Sequence, residues 1–101
     1  MQFRIKTDGA TVTVALEGQL NFAANEDFQK LLNQLSEAGG KKVVLDMAGL
    51  THIDSVGLGL LYIAREDLAE RRTEITLANP HDNVYRMLEL TEANKTFEIL
   101  R

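Results

Sequence analysis

Val43-Val44-Leu45, followed a few residues later by Asp54-Ser55-Val56-Gly57-Leu58-Gly59-Leu60-Leu61, is the stretch that decides the fold. Three successive apolar residues predict an inner parallel strand buried on both faces. The residues from Ala48 to Ile53 read as the loop that leaves it. A carboxylate and a hydroxyl then stand at the mouth of an apolar helix running from about Ser55 to about Arg71. Either side chain suits a helix N-cap, because its oxygen accepts a bond from the free N–H groups of the first turn. Glycine inside a helix costs about 1 kcal/mol against alanine, so Gly57 and Gly59 imply a compensating gain. Close approach by the neighbouring strand or by a partner's backbone would supply it. Ser55 is therefore presented at a helix N-terminus, an end that carries about half a unit of positive charge and suits a phosphate.

Working outward, Phe3, Ile5 and Thr7 alternate with polar residues. After the turn dipeptide Asp8-Gly9, Val12, Val14 and Leu16 alternate again, so an antiparallel pair with one buried face is expected. Gly18-Gln19-Leu20-Asn21 reads as the break of the second strand. Ala24, Phe28, Leu31, Leu32 and Leu35 fall at helical spacing, and Gly39-Gly40 reads as the stop. On the helix after Ser55, the spacing assigns Leu58, Leu61, Tyr62, Leu68 and Ala69 to the core and Arg65, Glu66, Asp67, Glu70 and Arg71 to solvent. Ile75 to Ala78 form a further strand. Asn79 as cap with Pro80 at the first helical position starts a third helix that buries Val84, Met87, Leu88 and Leu90. Phe97-Glu98-Ile99-Leu100 closes the fold as a short strand or docked tail. Strands alternating with helices require parallel pairing and right-handed crossovers. The expected fold is α/β: an open mixed sheet of four to five strands with helices mostly on one face, in one domain spanning residues 1–101.

The composition narrows the function. The chain has 101 residues, 45% of them hydrophobic, enough for one packed core. Eleven basic against fifteen acidic residues give a net charge of −4, which disfavours nucleic acid and anionic membrane as partners. There is no cysteine, so disulfide and thiolate chemistry are excluded. The first residues lack the apolar core of a signal peptide, and the longest apolar run, Val56 to Ala64, is too short to cross a bilayer. A cytoplasmic location is expected. Two histidines far apart in the sequence make a metal site improbable, and no cofactor is expected. Gly57-Leu58-Gly59 lacks the third glycine and the Gly-Lys-Ser/Thr of nucleotide loops.

For Ser55 two readings stand side by side: a helix cap, or a phosphoacceptor whose modification would repel a docked partner. Asp54 has a similar pair, as a cap or as a group assisting a kinase or phosphatase at the hydroxyl. His52, Asp54 and Ser55 do not read as a catalytic triad, since triads need convergence in space and no Gly-x-Ser-x-Gly elbow is present. His52 reads as a loop residue near the site and His81 as a solvated residue in a helix's first turn. Thr51 reads as a loop hydroxyl bonded to backbone. Lys41-Lys42 reads as a solvated strand entry, and Arg71-Arg72 as a helix end matched to the dipole.

With these residues in place the chain resembles the STAS domain family of anti-sigma factor antagonists and related bacterial phosphoswitch proteins. The resemblance rests on the opening hairpin, on Gly18-Gln19-Leu20, and on Val43-Val44-Leu45-Asp46 followed by Asp54-Ser55-Val56-Gly57-Leu58. Asn79-Pro80 and the Phe97-Glu98-Ile99 ending belong to it as well. It implies a non-enzymatic regulatory module in which an anti-sigma-type serine kinase phosphorylates Ser55 and a metal-dependent, PP2C-like phosphatase reverses the step. The unmodified form would occupy a partner, either that kinase or another regulatory protein; some family members steer biofilm formation or motility. The partner footprint expected here is the Asn21–Asn25 turn, His52 and the start of the second helix, with Asp54, Val56, Gly57 and Leu58. Asn21 stands where the family often has Asp; it keeps the turn and capping role and loses the charge. The alternative is a constitutive STAS subunit of a larger complex, such as a lipid transporter, with Ser55 unmodified. A small hydrolase is the third reading.

Overall fold

The computed structural model describes residues 1–38 and 42–101. The Gly39-Gly40 stop and Lys41 lie outside the described residues. Five strands form one sheet in the sequential order β1-β2-β3-β4-β5. β1 (Gln2–Asp8) and β2 (Thr11–Leu20) are the expected antiparallel hairpin, with Phe3 opposite Leu16 and Ile5 opposite Val14. β3 (Lys42–Ile53), β4 (Glu74–Ala78) and β5 (Glu98–Leu100) then add in parallel, so the closing segment is a strand. The intervening helices are α1 (Asn25–Ala38), α2 (Ser55–Glu70) and α3 (Asp82–Leu90).

One core holds the sheet and all three helices together. Val12, Val14, Leu16, Val43, Leu45, Met47 and Leu77 supply its sheet side; Phe28 and Leu31 of α1, Leu61 and Leu68 of α2, and Val84 and Leu88 of α3 supply its helix side. Tyr62 and Phe97 extend it with tilted rings whose centroids lie 5.2 Å apart. Val44 points the other way and is only half-buried, so β3 is buried fully on one face and not on both. On α2, Ala69 is exposed while Leu60 and Ala64 are buried, and on α3 Leu90 is exposed. The buried stripe of each helix is thus set by what packs against it, which residue type alone does not report.

The largest departure from expectation is the length of β2 and β3. Gly18-Gln19-Leu20 does not break β2, and Ala48 to Ile53 is not a loop: the pairing continues to Leu20 opposite Ile53. Two bulges carry it. β3 advances from Asp46 to Gly49 while β2 advances only from Ala15 to Glu17, and from Leu50 to His52 while β2 moves from Gly18 to Gln19. Each extra residue on β3 shifts the alternation, so Met47 and Leu50, three apart, are both fully buried. Gly18 supports the bend with φ +95°, a conformation that disfavours any side chain.

The start of α3 also differs. Asn79 takes a left-handed conformation (φ 57°) instead of capping, and Pro80 precedes the helix instead of opening it. Asn79 is drawn away: its N–H donates to the Leu100 carbonyl at 2.6 Å and its Nδ2 to Asp46 Oδ1 at 3.1 Å. His81 occupies the cap position, with Asp82 in the first turn as expected.

The two glycines of α2 have separate explanations. A Cβ on Gly57 would overlap the Leu20 carbonyl oxygen and lie 2.7 Å from its carbon, so the last residue of β2 rests on the helix backbone there. At Gly59 a Cβ would meet nothing within 4 Å. Gly57→Ala is expected to destabilise by about 1–3 kcal/mol through overpacking against backbone that cannot yield. Gly59→Ala is expected to stabilise by about 1 kcal/mol through helix propensity alone. Urea denaturation of the two variants beside the parent measures both signs.

Candidate functional site

The long β2–β3 pairing delivers Asp54 to the end of the sheet. The Asp54 N–H donates to the Leu20 carbonyl at 3.4 Å, and its backbone is still extended (φ −118°, ψ −175°). Its side chain then turns back: Oδ1 accepts the Gly57 N–H at 2.8 Å, while its carbonyl takes the Leu58 N–H at 2.9 Å. Asp54 is the N-cap of α2, which leaves Ser55 as the first helical residue.

Ser55 is exposed, and no hydrogen bond holds its hydroxyl among the described residues. Of the two readings of this serine, the cap belongs to its neighbour. Val56 beside it is 42% exposed. Gly57 and Leu58, expected within the partner footprint, are buried, and Leu58 belongs to the core. Gly57 lies against the Leu20 carbonyl, and Leu58 keeps only 9% of its surface exposed.

Asn21 and Asn25 bracket a 3-10 turn over Phe22–Ala24. The Asn21 side chain does not cap this turn: its Nδ2 donates to Gln19 Oε1 at 3.1 Å, and the turn is held by its backbone carbonyl, which accepts the Ala24 N–H at 3.0 Å. Neither the capping role nor a carboxylate at position 21 is therefore needed for this backbone. Asn25 is exposed at the start of α1. Thr51, on a strand and not in a loop, donates its hydroxyl to the Gly18 carbonyl at 3.1 Å and accepts from His52 Nδ1 at 3.0 Å. His52 is exposed and bonded to Thr51, so no relay runs from it to Ser55.

Two features escaped the sequence reading. Phe22 is 77% exposed in the turn after β2, and Ile63 on α2 is 50% exposed. Phe22 could have been found as the one large apolar residue in a polar turn. Ile63 could have been found by its spacing from Ser55, two helical turns along one face.

His81, at the neighbouring strand end, is not simply solvated. Its Nε2 donates to the Ala48 carbonyl at 2.8 Å, and its Nδ1 lies 3.0 Å from Asp82 Oδ2. Both contacts are donor contacts only when the ring is protonated. The Asp82 hydrogen bond foremost, then the Ala48 carbonyl, raises its pKa above 6.5. Among the described residues no group of three His, Cys, Asp or Glu side chains could hold a metal ion. Among the described residues no helix is long and apolar enough to cross a membrane.

This arrangement is that of a known family. Residues 2–101 match the model of the STAS domain, and the chain belongs to that family. It is similar to a STAS-domain containing protein of Pseudomonas aeruginosa, 27% identical over 92 residues that cover 91% of this chain and 90% of the relative. It is also similar to the anti-sigma-B factor antagonist of Listeria monocytogenes, 26% identical over 93 residues, 92% of this chain and 80% of that one. Its fold is that of the anti-sigma factor antagonist SpoIIAA. The unphosphorylated form superposes with a TM-score of 0.70 at 19% identity, over 99% of this chain and 87% of that one. The phosphorylated Bacillus form gives 0.71 at 18% identity, over 97% and 90%.

Two outcomes follow from this geometry. Asp54→Ala removes the cap and should lower stability by about 1 kcal/mol, read from urea midpoints. The His81 contribution has a definite sign in pH. Because the folded-state pKa is raised, the stabilisation is complete below the unfolded value of 6.5 and is lost as pH climbs through the higher folded value. Thermal midpoints of the parent and of His81→Ala should therefore differ most at mildly acidic pH and draw closer above neutrality, where the neutral ring keeps only its Nε2–H bond to Ala48. A gap that widens with rising pH would contradict this assignment.

Proposed function

We propose that this chain is an anti-sigma factor antagonist-like binding module whose partner occupancy is set by phosphorylation of Ser55. The observation that carries the proposal is the division of labour at the head of α2: Asp54 supplies the cap, and Ser55 keeps an exposed, unbonded hydroxyl. A hydroxyl engaged in capping could not accept a phosphoryl group without cost to the helix; this one can. The N–H groups of Ser55 and Val56, which precede the first intrahelical donor, together with the helix dipole favour an anion there. The fold itself would therefore tolerate the modified state.

A bound partner would not. The phosphate adds about −1.5 to −2 charges and three acceptor oxygens. Like-charge contact or desolvation at an interface costs several kcal/mol, and driving a complex from 99:1 to 1:99 needs about 5.5 kcal/mol. One modification is of the right size. In this reading an anti-sigma-type serine kinase adds the phosphate in the cytoplasm and a metal-dependent, PP2C-like phosphatase removes it. The exposed residues Asn25, His52 and Val56 and half-buried Asn21, with Asp54 at the helix head, surround the contact.

The test uses the native protein. Intact mass with site mapping should find one phosphate, at Ser55. Immobilised parent and Ser55→Ala should retain the same polypeptide from cell extract, and Ser55→Glu should release most of it. Release by glutamate should be incomplete, since a carboxylate carries less charge and fewer oxygens than phosphate. Equal retention by all three forms, with no modified Ser55 in native material, would instead indicate a constitutive subunit.

A further inference from the structure

Gly59 is the one glycine of α2 that the fold does not explain. Gly57 is required by the Leu20 carbonyl; Gly59 faces open space, where alanine would fit without contact and strengthen the helix. Its position gives the reason. Ser55, Gly59 and Ile63 are spaced by four residues, and Glu66 and Glu70 continue the same stripe at spacings of three and four. All but Gly59 are exposed, and Gly59 is half-exposed. Val56 flanks the upper half. The bare backbone at Gly59 therefore lies one turn beneath the Ser55 hydroxyl, between an exposed valine and an exposed isoleucine, and the stripe ends in two carboxylates, Glu66 and Glu70, that meet no ion-pair partner among the described residues. The acid that is paired, Asp67, meets Arg71 at 3.7 Å beside them.

We infer that this stripe of α2 is where the switched partner lies, and that the partner presents an apolar surface in backbone contact with Gly59, flanked by basic residues that meet Glu66 and Glu70. The inference rests on the phosphoswitch reading and adds the chemistry of the partner to it. Glycine on a helix face permits an approach that any Cβ would hold off. Exposed Val56 and Ile63 on either side supply apolar area that a lone monomer gains nothing by exposing. The acidic end selects a partner of opposite charge, and such complementarity sets orientation and encounter rate. The two halves also reconcile a basic partner with release by phosphate. Glu66 stands eleven residues beyond Ser55, about 16 Å along the helix, and screening at physiological salt acts over about 8 Å. A phosphate on Ser55 thus falls against the apolar half of the contact, where it is desolvated without a counter-charge, and not against the basic half.

The test takes as its probe the polypeptide that the parent retains and Ser55→Glu releases, purified and titrated against purified variants. Gly59→Ala is expected to raise the thermal midpoint of the free chain and yet weaken binding at least tenfold. That combination separates contact from folding damage. Ile63→Asp should weaken binding at least tenfold with an unchanged circular dichroism spectrum, whereas Lys6→Glu, on the uncovered face of the sheet, should leave it within twofold of the parent. The parent's affinity should fall with added salt, and Glu66→Lys combined with Glu70→Lys should abolish that dependence. If Gly59→Ala or Ile63→Asp binds within twofold of the parent, the stripe is not the docking surface, although the switch at Ser55 stands. A salt dependence untouched by the double reversal removes the basic flank. If Ser55→Glu releases no polypeptide at all, the switch fails and this inference fails with it.

Discussion

The contact between the Leu20 carbonyl and the backbone of Gly57 is the constraint from which the site follows. It joins the last residue of β2 to the first turn of α2 with no side chain between them. The same carbonyl accepts the Asp54 N–H, so strand end and helix start are tied at adjacent points. With Asp54 fixed there, its carboxylate reaches the Gly57 N–H and its carbonyl the Leu58 N–H. Buried Leu58 and Leu61 then pull the opposite side of the helix into the core. What is left facing outward at the head of the helix is Ser55.

Two neighbouring residues with similar local propensities therefore end in different roles. Asp54 and Ser55 could each cap a helix. The strand pairing decides between them, because it carries extended backbone as far as Asp54. The cap contact holds the helix in place and frees the hydroxyl beside it. Gly57 and Gly59 divide in the same way: one meets backbone of its own chain, the other faces outward. A glycine required by the fold says nothing about partners. A glycine that weakens its helix without relieving any contact is the one on which the proposed docking stripe rests.

Much of this architecture was legible in the residues. Alternation at Phe3, Ile5, Val12, Val14 and Leu16 marks the hairpin, and helical spacing at Phe28, Leu31, Leu32 and Leu35 marks α1, because side-chain periodicity is a local consequence of backbone geometry. The ends of β2 and β3 were not legible. Bulges at Met47–Ala48 and Thr51 break the two-residue period, and glycine with polar residues there imitates a loop. Asn79-Pro80 carried a valid start signal that long-range bonds to Leu100 and Asp46 overrode. His81 looked solvated because its acceptor, the Ala48 carbonyl, is 33 residues away in sequence.

By itself the sequence determined the order of strands and helices, the single core and the presence of a serine at a helix mouth, all set by periodicity and capping chemistry within a few residues. Only the tertiary structure decided which of two adjacent side chains caps the helix, which glycine is structural, and which of the expected contact residues are surface. Those outcomes depend on where Leu20 meets Gly57 across more than thirty residues of intervening chain. No local pattern encodes that distance, because it is fixed by the register of two bulged strands and the packing of the helices above them.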